Sequence, residues 1–161
     1  MVDRDGFEAF YRARYDQLVR ACALVVLDRG AAEEIAQDSL ARLWVAWDRL
    51  GDDDHAGGYA YTTAMRLCWK RRRRRQTEAS ASLPVAADGS PEDAARRQDL
   101  LAALADLPFR QRQVIVLRDW AGFPTAEVAE MTGIAPSTVR VHLARGRAAL
   151  RDALREAEVE R

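Results

Sequence analysis

The chain has 161 residues, 48% apolar and 31% charged, which suits one domain or two small ones and excludes a wholly disordered chain. Acidic and basic residues cancel at 25 each, yet seven basic residues crowd against three acids in 51–75, so a polyanion site is expected locally rather than everywhere. Cys22 and Cys68 are too few and too far apart in sequence for a disulfide framework or a Cys-x-x-Cys metal site, no apolar stretch reaches the ~18–20 residues of a membrane span, and Met1 to Gly6 is no signal peptide.

Buried structural cysteines and a cytoplasmic protein are therefore expected. Glycine and proline are sparse, and Ala, Leu, Arg and Glu dominate, so the expected fold class is all-α: two small helical domains joined by a flexible linker. Residues 7–27 predict a first helix, with Phe7, Phe10, Tyr11, Leu18, Cys22 and Val25 at helical spacing and Asp28-Arg29-Gly30 as its stop. Residues 31–50 predict a second, the most regular of the chain. Its apolar stripe is Ile35, Ala36, Leu40, Leu43, Trp44 and Trp47, while Glu33, Glu34, Gln37, Asp38, Arg42 and Asp48 cover the remainder. Periodicity alone makes this an amphipathic helix with a wet face.

Gly51 to Asp54 break the chain, and Gly57-Gly58 loosen the start of the next helix. Residues 59–75 combine Tyr59, Tyr61, Thr62, Arg66 and Trp69 with six consecutive basic residues, Lys70, Arg71, Arg72 and the three arginines after them. Six charges in a row form a collar around a helix rather than a face. Flat side chains beside arginines suit single-stranded DNA, since the rings stack on unpaired bases while the cations hold the backbone. Each ring suits a core equally well.

Between residues 76 and 95 periodicity fades into Ala, Ser, Pro, Asp and Gly, an acidic linker between domains expected at 1–75 and 96–161. Helix resumes near Pro91-Glu92-Asp93 and runs to Leu107, with Leu100, Leu101, Leu104 and Leu107 facing inward. Pro108 separates it from residues 109–120, whose Val114, Ile115, Leu117 and Trp120 can pack on the helical pair of residues 123–150.

That pair reads as two helices joined by a tight turn. Pro124, Thr125 and Glu127 open the first, with a hydroxyl available to cap free N–H groups and a carboxylate near the positive helix end. Gly133 supplies the turn, and Pro136, Ser137 and Thr138 start the second. On a helical wheel Val139, Leu143, Gly146 and Leu150 share one side. Ser137, Thr138, Arg140, Val141, Ala144 and Arg145 take the other, with His142 and Arg147 at the flanks. Hydroxyls, arginines and small side chains on one face suit a DNA major groove, where Arg takes guanine O6 and N7 with two hydrogen bonds. This is a helix-turn-helix pattern; the bland reading is a solvated helical hairpin.

Catalysis finds little support. His55 and His142 are the two histidines, no nucleophile–base pair emerges from spacing, and no glycine-rich phosphate loop is present. No catalytic residue, metal site, cofactor or small-molecule substrate is expected.

Taken in order, the stretches AEEIAQDSLARLWVAWDRL, AYTTAMRLCWKRRRRR and LADLPFRQRQVIVLRDWAGFPTAEVAEMTGIAPSTVRVHLARGRAAL resemble regions 2.1–2.2, 2.3–2.4 and 4 of the ECF (extracytoplasmic-function) sigma factors of bacterial RNA polymerase, most of all the actinobacterial SigE-type subgroup. The resemblance implies an alternative sigma factor with RNA polymerase core (β′ and β subunits) and promoter DNA as partners, and an anti-sigma factor as the regulatory partner to look for. It implies polymerase binding through Glu34, Gln37, Asp38, Arg42 and Trp44. Recognition and opening of the −10 element falls to Tyr59, Tyr61, Thr62, Arg66, Trp69, Lys70, Arg71 and Arg72. Reading of the −35 element falls to Ser137, Thr138, Arg140, Val141, His142, Ala144, Arg145 and Arg147. Tyr59, Met65-Arg66 and Val141-His142 depart from the family's common pattern, which bears on the promoter sequence read. No fused sensory domain is expected after Arg161. The alternative is a stand-alone helix-turn-helix repressor that dimerises through its N-terminal helices, on a palindromic site.

Overall fold

The computed structural model describes residues 3–50, 52–75 and 89–160, with the side chains of Arg74 and Arg75 left aside. Among the described residues every regular element is helical. The helices are α1 (Arg4–Val26), α2 (Arg29–Leu50), α3 (Asp53–Arg75), α4 (Pro91–Asp106), α5 (Phe109–Ile115), α6 (Thr125–Thr132) and α7 (Pro136–Val159); a π turn, Val116–Trp120, continues α5. The expected linker falls on residues 76–88, outside the described residues, and on the start of α4.

Helices α1, α2 and α3 pack as one bundle. Asp3 accepts a hydrogen bond from the Gly6 N–H and opens α1, whose far end closes on Leu27 in the left-handed region, φ 59°. The Asp28 carboxylate accepts from the Ala31 N–H, so α2 begins at Arg29 and Gly30 lies inside it rather than ending α1. The same device moves the start of α3. Asp52 accepts from the His55 N–H, Asp53 and Asp54 fill the first turn, and the helix runs straight through Gly57-Gly58 where a loose start was expected. Phe10, Leu18, Val19, Cys22, Val25, Leu40, Leu43, Met65 and Cys68 make the core of this half. Cys22 and Cys68, 46 positions apart, meet there: a hydrogen bond with Cys22, and then burial, push the Cys68 thiol well up, so both sulfurs are packing groups.

The second half packs α5, α6 and α4 on α7. Ser90 caps α4 by accepting from the Asp93 N–H, with Pro91 in its first turn. Ala103, Leu104 and Leu107 are buried, but Leu100 is 41% exposed and Trp120 44%, so neither points inward as expected. The π turn explains Trp120. Ala121 donates to the carbonyl of Val116, and Phe123 to that of Leu117, which widens the helix and turns the ring outward. Gly133, φ 71°, makes the turn between α6 and α7.

The two halves touch. Helix α3 packs on α6, and α1 packs on α5 and the π turn. Arg112 fastens them from the inside: its Nε donates to the Val25 carbonyl at the end of α1, 2.8 Å, and its Nη1 to the Leu107 carbonyl after α4, 3.0 Å. A buried guanidinium thus takes up carbonyls that two helix ends leave free. No described helix is long and apolar enough to cross a membrane.

Candidate nucleic-acid and polymerase interfaces

Helix α7 carries the first surface. Val139, Leu143 and Gly146 are buried as the wheel requires. A Cβ at Gly146 would meet Ile115 Cγ1 at 3.0 Å, so glycine lets α7 approach α5 closely. Ser137, Thr138, Arg140, Val141, Ala144, Arg145 and Arg147 are exposed, and His142 is half-buried. The helix starts at Pro136 after Ala135, and α6 at Thr125 after Pro124; neither start has a side-chain cap, so Thr125 is not the cap it was expected to be. Ser137 and Thr138 are left free in the first turn of α7, where N–H groups and hydroxyls favour phosphate. His142 has its pKa lowered by burial, then by Arg145 and Arg110, which favours the neutral ring. Arg147 differs from its neighbours. It grips Asp119 of the π turn through Nε–Oδ2, 2.8 Å, and a second bond from Nη2, and the pair holds the Asp119 carboxyl below its usual range.

The second surface lies on α2. Glu34, Gln37, Asp38, Arg42 and Trp44 are all exposed on one run of the helix while Ile35, Ala36, Leu40 and Leu43 are buried behind them. Arg42 pairs with Asp38 at 3.1 Å. Trp44 packs its edge on Phe7, centroids 4.8 Å apart, and Val45 beside it is fully solvated. Val45 was missed by periodicity because an apolar residue on a wet face reads as noise.

The third surface is the far half of α3. Arg66 and Lys70 are exposed; Tyr59, Thr62, Trp69, Arg71 and Arg72 are half-buried. Tyr61 is only 7% exposed. Its ring meets Phe123 edge-on at 4.7 Å, and burial pushes its phenol up to about 12. Trp69 lies against Phe109, with the Arg110 guanidinium 4.0 Å from its ring centre. Arg71 reaches Glu34 of α2 at 3.5 Å, so the acidic face of α2 and the basic collar of α3 adjoin.

A helix-turn-helix with an open arginine face, behind a three-helix bundle with an acidic face and a basic collar, defines a two-region sigma-70 protein. Residues 10–78 match Sigma-70 region 2, and residues 97–150 match Sigma-70, region 4. The chain is 33% identical over 157 residues to the RNA polymerase sigma-E factor of Streptomyces avermitilis, spanning 96% of this chain and 88% of that one. It is 28% identical over 155 residues to the ECF RNA polymerase sigma factor SigM of Mycobacterium tuberculosis, spanning 92% and 76%. Its fold is similar to that of the sigma factor RpoE of Bartonella quintana, solved in complex with the anti-sigma factor NepR, with a TM-score of 0.78 at 22% identity over 93% and 97% of the two chains. The chain belongs to the ECF sigma-factor family.

Proposed function

We propose that this alternative sigma factor divides transcription initiation among its three surfaces. Helix α2 holds RNA polymerase core through Glu34, Gln37, Asp38, Arg42 and Trp44, with Val45 as an added apolar contact. Helix α3 recognises and opens the −10 element. Its rings, Tyr59, Tyr61 and Trp69, stack on or pocket unpaired bases, and Arg66 and the collar from Lys70 to Arg72 hold the backbone. Helix α7 reads the −35 element, with Arg140, Val141, Ala144 and Arg145 at base edges, Ser137 and Thr138 on phosphates, and His142 at the flank. Arg147 is better placed to fix α7 to the π turn than to reach DNA, because Asp119 already occupies it. Residues 1–75 and 96–161 form the two working domains. The linker tethers two weak DNA contacts so that they act together.

The observation that carries this reading is α7, where the predicted DNA side is open along its length and the opposite side is buried. Purified protein, sigma-free polymerase core and a library of genomic promoter fragments test it. Start sites preceded by one shared −35/−10 pair are expected. Retention of a palindromic duplex without binding to core would favour a dimeric repressor instead. Asp38→Arg should weaken core binding and leave the fold and duplex binding intact; unchanged core binding would remove α2 from the polymerase contact.

A further inference from the structure

Thr138, His142 and Arg145 follow one another at i, i+4 and i+7, so they share one edge of α7, between its buried stripe and its open side. Helix α5 closes this edge with Arg110. Its Nη1 donates to the Thr132 carbonyl at 3.0 Å and to Gln113 Oε1 at 2.9 Å, and its guanidinium lies over Trp69. Those partners are a carbonyl, a carboxamide and a ring, so they leave the Arg110 charge uncompensated.

His142 lies in the field of both guanidiniums. Its Nδ1 is buried and has no hydrogen-bond partner among the described residues, although the residue as a whole is half-exposed. An imidazolium carries a proton on each nitrogen, and here one of them would be a buried N–H with nothing to receive it. Burial, then Arg145 and Arg110, accordingly lower the pKa of the ring. No carboxylate opposes them. Helix α6 turns Glu127 and Glu130 toward α3, where they border a cavity with Tyr59 and Thr62. Helix α4 meets α7 near Leu150, about two turns further on, with Arg97 and Asp119 alongside. Asp119 is itself paired with Arg147.

A helix in a major groove has base edges in front of it and a phosphate strand on either side, so its edge meets backbone. A phosphate there accepts from the ring, and its charge offsets the two guanidiniums. We propose that His142 is a proton-linked phosphate contact: neutral in the free chain, it takes up a proton as α7 docks on the promoter, so that −35 affinity rises as pH falls. The proposal rests on the −35 reading of α7. The free ring titrates below the usual 6.5, and the bound ring titrates higher. Above both values neither state holds the extra proton, and pH has no effect. Between them only the complex holds it, and affinity climbs as pH falls; below both the gain is complete.

The test measures binding of the full-length chain to a duplex carrying the −35 sequence recovered from the promoter library, at fixed salt, from pH ~8 to ~5. Wild-type affinity is expected to rise about three- to tenfold. A scrambled duplex should gain by the same factor, since a phosphate contact carries no base information. His142→Gln should lack the rise, and His142→Arg should bind tightly with no slope. Proton NMR of the wild type follows the ring directly. Its titration should move upward when duplex is added, while that of His55, the other histidine, stays in place beside Asp52 on α3. Equal slopes in wild type and His142→Gln would overturn the proposal, as would a His142 titration that duplex leaves unmoved. A gain confined to one base pair would also overturn it, by making His142 a base contact. No duplex binding by any form at any pH, with His142 still titrating low in the free chain, would remove the −35 reading and the proposal together.

Discussion

The two surfaces we propose for nucleic acid are both rich in arginine, yet one is presented and the other is folded inward. On α7 the DNA side carries hydroxyls, arginines and small side chains, which water solvates well, and it needs no cover. On α3 the working groups include Tyr61 and Trp69, and burying a large apolar side chain is favourable by roughly 1.5–3 kcal/mol. Tyr61 packs on Phe123, and Trp69 on Phe109 and Arg110, so both rings are covered by the chain itself. A surface that reads a duplex can wait exposed. A surface that opens one is driven to find a substitute.

The seam between the two surfaces is most easily broken at Arg112. Arg112→Ala removes the donor that serves the ends of α1 and α4 and leaves buried carbonyls unpaired, a loss of roughly 3 kcal/mol at ~1–3 kcal/mol per buried group. A urea midpoint unchanged from wild type would show that those carbonyls find other partners. Next in size is the open surface itself. Arg140→Ala should lower duplex affinity by ~1–3 kcal/mol, and more at one base pair than uniformly, whereas loss of a phosphate contact weakens all sequences alike and flattens the salt dependence. Arg147→Ala should differ from both. Its partner Asp119 is exposed, so the effect on affinity is expected to be smaller and to come with a slightly looser α7, visible in the thermal midpoint. If Arg147→Ala instead shifted base preference as Arg140→Ala does, the division between reading and fixing residues on α7 would be wrong.

The helices and the inward stripe of α7 were legible because periodicity reports burial wherever a helix has one wet and one dry side. Val139, Leu143 and Gly146 needed nothing more. Boundaries were less legible. Asp28 and Asp52 act as caps through side-chain geometry, and spacing cannot distinguish a carboxylate that caps from one that is solvated. Trp120 misled because a π turn shifts the register by one residue, which a regular wheel does not anticipate. The residue types of the −10 surface were visible in Tyr61 and Trp69, but not their covering. Phe123 lies 62 positions from Tyr61, and the contact depends on how two separately patterned halves dock. Arg112 was invisible for the same reason, since a buried guanidinium reads in sequence as one more surface charge.

The smallest effect expected distinguishes the covered ring from a merely buried one. The neutral phenol of Tyr61 is favoured by burial against Phe123, so its pKa is raised from 10.0 to about 12. A raised value means that the native state holds the proton more tightly than the unfolded chain. This contribution is full below pH 10.0 and is lost as pH rises from there through about 12. Cys68 and Tyr11 are raised as well, so alkaline weakening alone does not identify the residue. The difference between wild type and Tyr61→Phe does. The variant keeps the ring and lacks the proton, and its urea midpoint should fall less steeply over that window. Phe123→Ala should act on the same group from across the seam, moving the Tyr61 titration back toward 10.0 by absorbance while leaving the α1–α3 core intact. Parallel alkaline curves for wild type and Tyr61→Phe would mean that the phenol is already wet, and that Phe123 does not cover it.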